Sequence, residues 1–422
     1  MPRTRTPSDP VTLWLDGEAI VAQRGEPAAV ALIADGRLAL ARSPKFHRPR
    51  GPACLAGACD GCLARVDDVP NVMTCRVPAA EGLRIETQNV VGSRETDLLR
   101  AADWFFPDGM NHHELLTSVP GMQRVVQGVA RQVAGVGRLP APDPQAARSA
   151  RRREADVLVV GAGAAGMAAA LALARRARHV EVVDDDLAPG GSAGVLARLG
   201  EPGWARLLSA FEEQVAQGAV NLRSRTMAAG VYGDDVLIAS DAAAEPLEVV
   251  TARTLVLAPG CHDGALAFEG NDLPGVMSAR AGCRLLAHGV APGNRVVLVG
   301  EGDPGPFGAA LAGADGIVVT RVVGLPVRVA GRARVKGVVI ATAEGERELA
   351  CDALLLETSP SPAYAIAIQA GAEVARTKAG FAVRTGAGGR VRDGVFALGE
   401  ACGTKLDVAA MTRAAAALAE IA

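Results

Sequence analysis

Four cysteines in one short stretch constrain this chain more than any other feature. Within GPACLAGACDGCLARVDDVPNVMTC, Cys54, Cys59 and Cys62 are spaced C-x4-C-x2-C, and Cys75 follows after twelve intervening residues. With this spacing one loop wraps a [2Fe–2S] cluster and the last thiolate comes from farther along the chain. Each iron needs two thiolates, and the backbone N–H groups of the loop must face the sulfurs. Gly57 and Gly61 permit the dihedrals of such a loop. Zinc is the competing use of four thiolates, but it favours two C-x2-C knuckles, and Cys54 and Cys75 lack such neighbours. No apolar core follows MPRTRTPSDP, so a secretory signal is not expected, and clustered cysteines then indicate metal binding in a reducing, cytoplasmic setting.

From Asp156 onward strands alternate with helices and glycine turns, the pattern of an α/β doubly wound sheet. Gly161-x-Gly163-x-x-Gly166 follows directly on the apolar strand Val157–Val160. A second strand, His179–Val183, ends in Asp184, 23 residues beyond Gly161 and near the spacing of a carboxylate that binds a ribose hydroxyl. The glycines let backbone approach a pyrophosphate, and the helix N-terminus favours its charge. The uncharged run Val157–Ala174 is long enough to raise a membrane span. Its glycines, and Arg175-Arg176 at its end, read instead as strand–turn–helix, so no span is expected. Gly190-Gly191 after Asp184, and Gly399-Glu400 between a strand and an Ala-rich helix, favour FAD here, with NAD the open alternative. Flavoproteins of this topology place a Gly-Asp pair against the ribityl-phosphate region, and Glu400 stands in for that Asp.

A second fingerprint, Gly300-x-Gly302-x-x-Gly305, follows the strand Arg295–Val299. Pro304 and Pro306 stand where its helix begins, and only about two turns fit before Gly313. The next strand, Ile317–Thr320, ends in Arg321 rather than an acid. The βαβ context is therefore incomplete, and NAD(P) binding here is the weaker expectation.

The segmentation expected is residues 11–92 for the cluster domain, 93–154 for a helical connector and Arg/Pro-rich linker, 155–275 with 385–422 for the FAD domain, and 276–384 for a shortened NAD-type subdomain. VTLWLDGEAIVA reads as a hairpin about Asp16-Gly17 and EPAAVALIADG as a short helix. The run from Arg148 to Arg153 reads as solvated linker. His112-His113 has no third ligand nearby and reads as a surface or interface pair. The patch Trp104, Phe105 and Phe106 suits a docking surface or core packing equally. Cys261, Cys283, Cys351 and Cys402 form no CxxC, which argues against disulfide-reductase chemistry. Cys402 reads as a buried structural thiol. With 44 Lys and Arg against 46 Asp and Glu, no overall basic field favours nucleic acid.

FHRPRG (46–51), VVGAGAAG (159–166), PGGS (189–192) and FEGNDLPGVMSA (268–279) together resemble the α-type subunits of bacterial heteromeric amine dehydrogenases and oxidases. These include sarcosine oxidase α, opine oxidase subunits and hydrogen cyanide synthase subunits A and B. The resemblance implies a ferredoxin-like β-grasp domain followed by a Rossmann-type, disulfide-reductase-like pair of dinucleotide domains. It also implies that Gly161, Gly163, Gly166 and Asp184 contact the dinucleotide. In that family a partner resembling D-amino-acid oxidase oxidises the amine, and the α-type chain carries electrons towards an external acceptor. After its Gly-Glu helix this sequence has neither the folate-associated region of sarcosine oxidase α nor the cysteine-rich module of opine-type subunits. The functional expectation is an electron-transfer subunit with FAD and a [2Fe–2S] cluster; the alternative is a self-contained NAD(P)H-dependent reductase.

Overall fold

Two units make up the structure, a computed structural model that describes residues 3–44, 46–105, 121–133, 149–176, 179–242 and 245–422. The first comprises residues 1–142 and 266–357, the second residues 143–265 and 358–422. His112, His113 and Phe106 lie outside the described residues.

The first unit begins with the hairpin Pro10–Leu15 and Glu18–Gln23. Its turn residues Asp16 and Gly17 take φ of 50° and 85°, the positive values that match the twist of a two-residue hairpin. Alternation sends Val11, Leu13 and Leu15 inward, while Trp14 faces out. The strand Arg84–Glu86 joins in parallel, and Asp16 fastens it by accepting the Thr87 N–H and hydroxyl at 2.7 Å each. Leu63–Val66 and Val69–Met73 complete a mixed five-stranded sheet. Helix Ala28–Ala34 buries every residue from Ala28 to Ile33, so it lies within the clasp of the sheet. This is the expected β-grasp. His47, within the cluster domain, and Asp97, just beyond it, form a pair with wholly buried side chains, Nδ1 to Oδ2 at 2.9 Å, which ties the FHRPRG segment down.

The later half of this unit carries a parallel sheet in the order Val276–Ser278, Ala353–Glu357, Arg295–Gly300, Val318–Val323. Its central strands are apolar runs buried on both faces, as parallel strands are. Three antiparallel strands, Leu325–Gly331, Val335–Thr342 and Gly345–Ala350, flank it. The helix after its glycine turn, Pro306–Ala312, has the two turns expected and stops at Gly313.

In the second unit the sheet order is Val220–Arg223, Val180–Val183, Ala150–Val160, Leu247–Leu257, Asp235–Ser240, Thr226–Tyr232, and Val395–Ala397 pairs in parallel with Leu255–Leu257. Helices Ala164–Ala174 and Val408–Ile421 pack on one another, which their alanines permit. Residues 358–384 also belong here, although the sequence groups them with the NAD-type segment. The reason is a strand return, in which Ser361–Pro362 pairs with Cys261–His262. No helix among the described residues is long and apolar enough to cross a membrane.

One expectation fails here. Arg151, Arg152 and Arg153 are not linker but the start of the strand Ala150–Val160. Register explains it, because Arg151 lies directly beside Glu248 on the neighbouring strand. Glu248, 1% exposed, accepts from Arg151 at 2.7 Å, Arg153 at 2.6 Å and Arg223 at 3.1 Å. Arg153 and Arg223 share Glu181 as a second acceptor, at 2.6 and 3.2 Å. Burial works to raise the Glu248 pKa, but the guanidinium hydrogen bonds and charges outweigh it and bring the carboxyl down to about 2.

Glu248→Gln is expected to cost about 2 kcal/mol, less than a fully buried pair because Arg151 is largely exposed. That corresponds to a Tm lower by roughly 4–8 °C at neutral pH. The native pKa lies below the unfolded value of about 4.3. The contribution is therefore complete above that pH and fades as pH falls towards 2. Thermal melts of both proteins at pH 7 and pH 3 test it; a difference that does not shrink at pH 3 would refute the ion-pair origin.

Candidate functional site

The cysteine loop is shaped by a backbone crossing. A Cβ on Gly61 would lie 2.0 Å from the Gly51 carbonyl oxygen, so this position admits glycine alone. Gly57 takes φ of +72° against the Arg76 side chain, and Leu55 takes φ of 52°. Cys75 comes from the single turn Thr74–Arg76. Thr74 fixes that turn by donating its N–H and its hydroxyl to the Cys62 carbonyl, at 3.1 and 2.9 Å.

Within this loop the sulfurs fall into two pairs. Cys54 Sγ and Cys59 Sγ are 3.4 Å apart, and the N–H groups of Ala56 and Ala58 each point at Cys54 Sγ from 3.4 Å. The hydrogen bond from Cys54 holds the Cys59 pKa down to about 6, helped by backbone N–H groups, and the same contact with burial pushes Cys54 up. Cys62 and Cys75 repeat the arrangement, Cys62 down and Cys75 up, through their mutual hydrogen bond. Two pairs of thiols, with N–H donors aimed at sulfur, match what two irons require.

Sequence reasoning missed what seats this loop. Ser278 donates its N–H to the Ala53 carbonyl at 2.9 Å, and the Arg284 guanidinium donates to the Cys54 carbonyl. Pro274 closes over Gly51, whose Cβ would lie 3.0 Å from the proline Cα. No signal in the sequence points to these contacts, which join residues more than 200 positions apart.

In the second unit every residue of the first fingerprint and its satellites converges at the C-terminal edge of the parallel strands, the usual ligand position in such sheets. A Cβ on Gly166 would stand 1.7 Å from the Gly161 carbonyl oxygen, so helix Ala164–Ala174 starts in direct contact with the turn. Gly161, at φ of 100°, donates to Val183 O at 2.8 Å. Gly190, at φ of 110°, donates to Ala162 O at 2.8 Å, and a Cβ on Gly191 would lie 3.5 Å from Gly163 Cα. Gly399, at φ of 82°, sits where a Cβ would be 2.6 Å from Ala165 Cβ, and Glu400 follows it, half-buried. Asp184 accepts the N–H of Ala162 at 2.5 Å and of Asp186 at 2.8 Å. Burial raises its pKa to about 6, against the pull of those two donors. A bare-backbone cradle at a helix N-terminus, with an acid beside it, fits the pyrophosphate and ribose of a dinucleotide. Cys402 is half-buried, and burial pushes its thiol up to about 12, as a structural role implies.

The second fingerprint is arranged otherwise. Arg321 does not project for a ligand but donates to the Gly302 carbonyl. Glu357, which sequence reasoning passed over, lies against Gly300, Gly305 and Gly308. Its signal was a lone acid closing the apolar run ALLLE.

Residues 8–90 match the 2Fe-2S iron-sulfur cluster binding domain, and residues 155–322 match the pyridine nucleotide-disulphide oxidoreductase family. The chain thus joins an iron–sulfur domain to an FAD-type oxidoreductase domain, and its cofactors are a [2Fe–2S] cluster and FAD. Sarcosine oxidase subunit alpha of Rhizobium meliloti is 30% identical over 338 residues, 74% of this chain and 34% of that one. Hydrogen cyanide synthase subunit HcnA of Pseudomonas aeruginosa is 32% identical over 79 residues, 19% of this chain and 75% of that one. The crystal structure of L-proline dehydrogenase from P. horikoshii superposes with a TM-score of 0.73 at 21% identity, over 99% of this chain and 75% of that one. That likeness concerns the fold. The chain spans about a third of the length of the sarcosine oxidase alpha subunits it matches.

Two substitutions separate the cofactor loops. Cys59→Ser is expected to abolish the cluster's visible absorbance and EPR signal while leaving one FAD per chain; loss of both cofactors would contradict independent loops. Gly166→Ala, whose Cβ has no room beside Gly161, is expected to purify with its cluster and without flavin. Retention of FAD in that variant would sink the assigned cradle.

Proposed function

We propose that this chain, which belongs with the α-type subunits related to sarcosine oxidase subunit alpha and whose match to hydrogen cyanide synthase HcnA spans 79 residues, is the electron-transfer subunit of a heteromeric amine, amino-acid or opine dehydrogenase. The observation that carries this reading is the contrast between its two glycine turns. One is an open backbone cradle with an acid beside it, and the other is closed by its own side chains. A chain built this way accepts electrons from a protein rather than from a nicotinamide. The partner is a flavoprotein resembling D-amino-acid oxidase, which oxidises the substrate; an external acceptor takes the electrons onward, in the cytoplasm.

Bound flavin supplies exchange between two-electron and one-electron transfer, and the cluster carries electrons singly. In this reading Cys54 and Cys59 hold one iron and Cys62 and Cys75 the other. The N–H groups of Ala56 and Ala58 face Cys54 Sγ, where they favour negative charge on the sulfur. Gly161, Gly163 and Gly166 admit the pyrophosphate, and Gly190, Gly191 and Gly399 keep side chains out of its approach. Asp184 would accept a ribose hydroxyl, and Gly399-Glu400 would meet the ribityl-phosphate region.

Anaerobic titration of the cofactor-loaded protein with NADH, NADPH and then dithionite tests the reading. Flavin and cluster bands are expected to stay unchanged with both nicotinamides and to bleach with dithionite. Bleaching by either nicotinamide would make the chain a self-contained reductase and overturn the proposal.

A further inference from the structure

The second glycine turn is filled from within. Glu357 ends the strand Ala353–Glu357, whose four preceding residues are all buried, beside the parallel strand Arg295–Gly300 that leads into the turn. Its Oε1 accepts the N–H of Gly308 at 2.9 Å. Its Oε2 is buried and has no hydrogen-bond partner among the described residues. A Cβ on Gly300 would meet the Glu357 Cβ at 3.2 Å, one on Gly305 would meet Oε1 at 3.1 Å, and one on Gly308 would meet Oε2 at 2.5 Å. The carboxylate therefore occupies the hollow that these glycines open. Two further features point the same way. Pro306 begins the following helix and brings no N–H. Arg321, at the place where a ribose-binding acid is usual, is folded onto the Gly302 carbonyl instead.

We propose that Glu357 is the residue that closes this subdomain to nicotinamide dinucleotides. A pyrophosphate needs backbone N–H donors and a positive end of a helix. Here a fixed carboxylate has claimed a donor of the first helical turn and set a negative charge under the loop, so an incoming phosphate meets repulsion in a weakly screened place. The closure is an exclusion by charge and volume together, and it decides which electron donors the chain refuses. It rests on the reading that electrons arrive from a protein partner, and it assigns that selectivity to one side chain.

Equilibrium dialysis of the holoprotein against NADH and NADPH, with Glu357→Gln and Glu357→Ala beside the wild type, tests the assignment. The wild type is expected to retain neither nucleotide at millimolar concentration. Glu357→Ala, which removes charge and volume, is expected to bind on the order of 100-fold more tightly, the effect of removing one close like charge. Glu357→Gln, which keeps the shape, should fall between them and serves if the alanine variant does not fold. Wild-type binding that neither substitution improves would overturn the assignment, as would two folded variants that bind no better than wild type. Binding by the wild type without bleaching of its cofactors sinks only this inference. Bleaching by NADH sinks the functional reading beneath it.

Discussion

Peptide backbone passing peptide backbone, with no space for even a methyl group, is the constraint on which both cofactor loops depend. At Gly61 the neighbour is the Gly51 carbonyl, and at Gly166 it is the Gly161 carbonyl. A side chain at either place would have to push the two chain segments apart by an ångström or more to reach the 3.0 Å below which real Cβ contacts are essentially never found. In the first loop the crossing turns the cysteines inward in two pairs. In the second it lets a helix begin directly on the end of a strand, so that the first N–H groups of the helix face the space a dinucleotide enters.

Three carboxylates show how local donors decide what one chemical group does. Glu248 is buried among three guanidinium groups and is held far towards its charged form. Asp184 has two backbone N–H donors, and burial still raises its pKa to about 6. Glu357 has one backbone donor and one oxygen left alone among glycines. The first fastens strands, the second is suited to a hydroxyl, and the third fills the hollow where a ligand would sit.

What could be read from the sequence was local. The cysteine spacing, the first fingerprint with Asp184, the Asp16-Gly17 hairpin and the short helix before Gly313 all depend on neighbours within a few dozen residues. The arginines at 151–153 looked like linker because the acids they meet on neighbouring strands lie far off, Glu248 for Arg151 and Arg153 at 95 residues or more and Asp235 for Arg152 at 83, and an arginine run gives no sign of such pairings. Glu357 escaped notice for the same reason, since its role appears only when the parallel strand 295–300 is laid beside it. The return of residues 358–384 to the second unit is likewise a matter of strand pairing across a long insertion. The hydrogen bond between Arg284 and the Cys54 carbonyl spans 230 positions, beyond the reach of any pattern of spacing.

That last contact bears on where the iron–sulfur unit ends. Iron–sulfur domains are often treated as cassettes, cut at a linker and grafted elsewhere. Here the peptide groups that lead into and follow the first ligand, at Ala53 and Cys54, have Ser278 and Arg284 as donors, and Gly51 has Pro274 for a cover. A fragment ending at the close of its own sheet would carry all four cysteines yet lack these partners. The strand and helix that carry Ser278 and Arg284, with Pro274 before them, are thus part of what holds the metal loop in place.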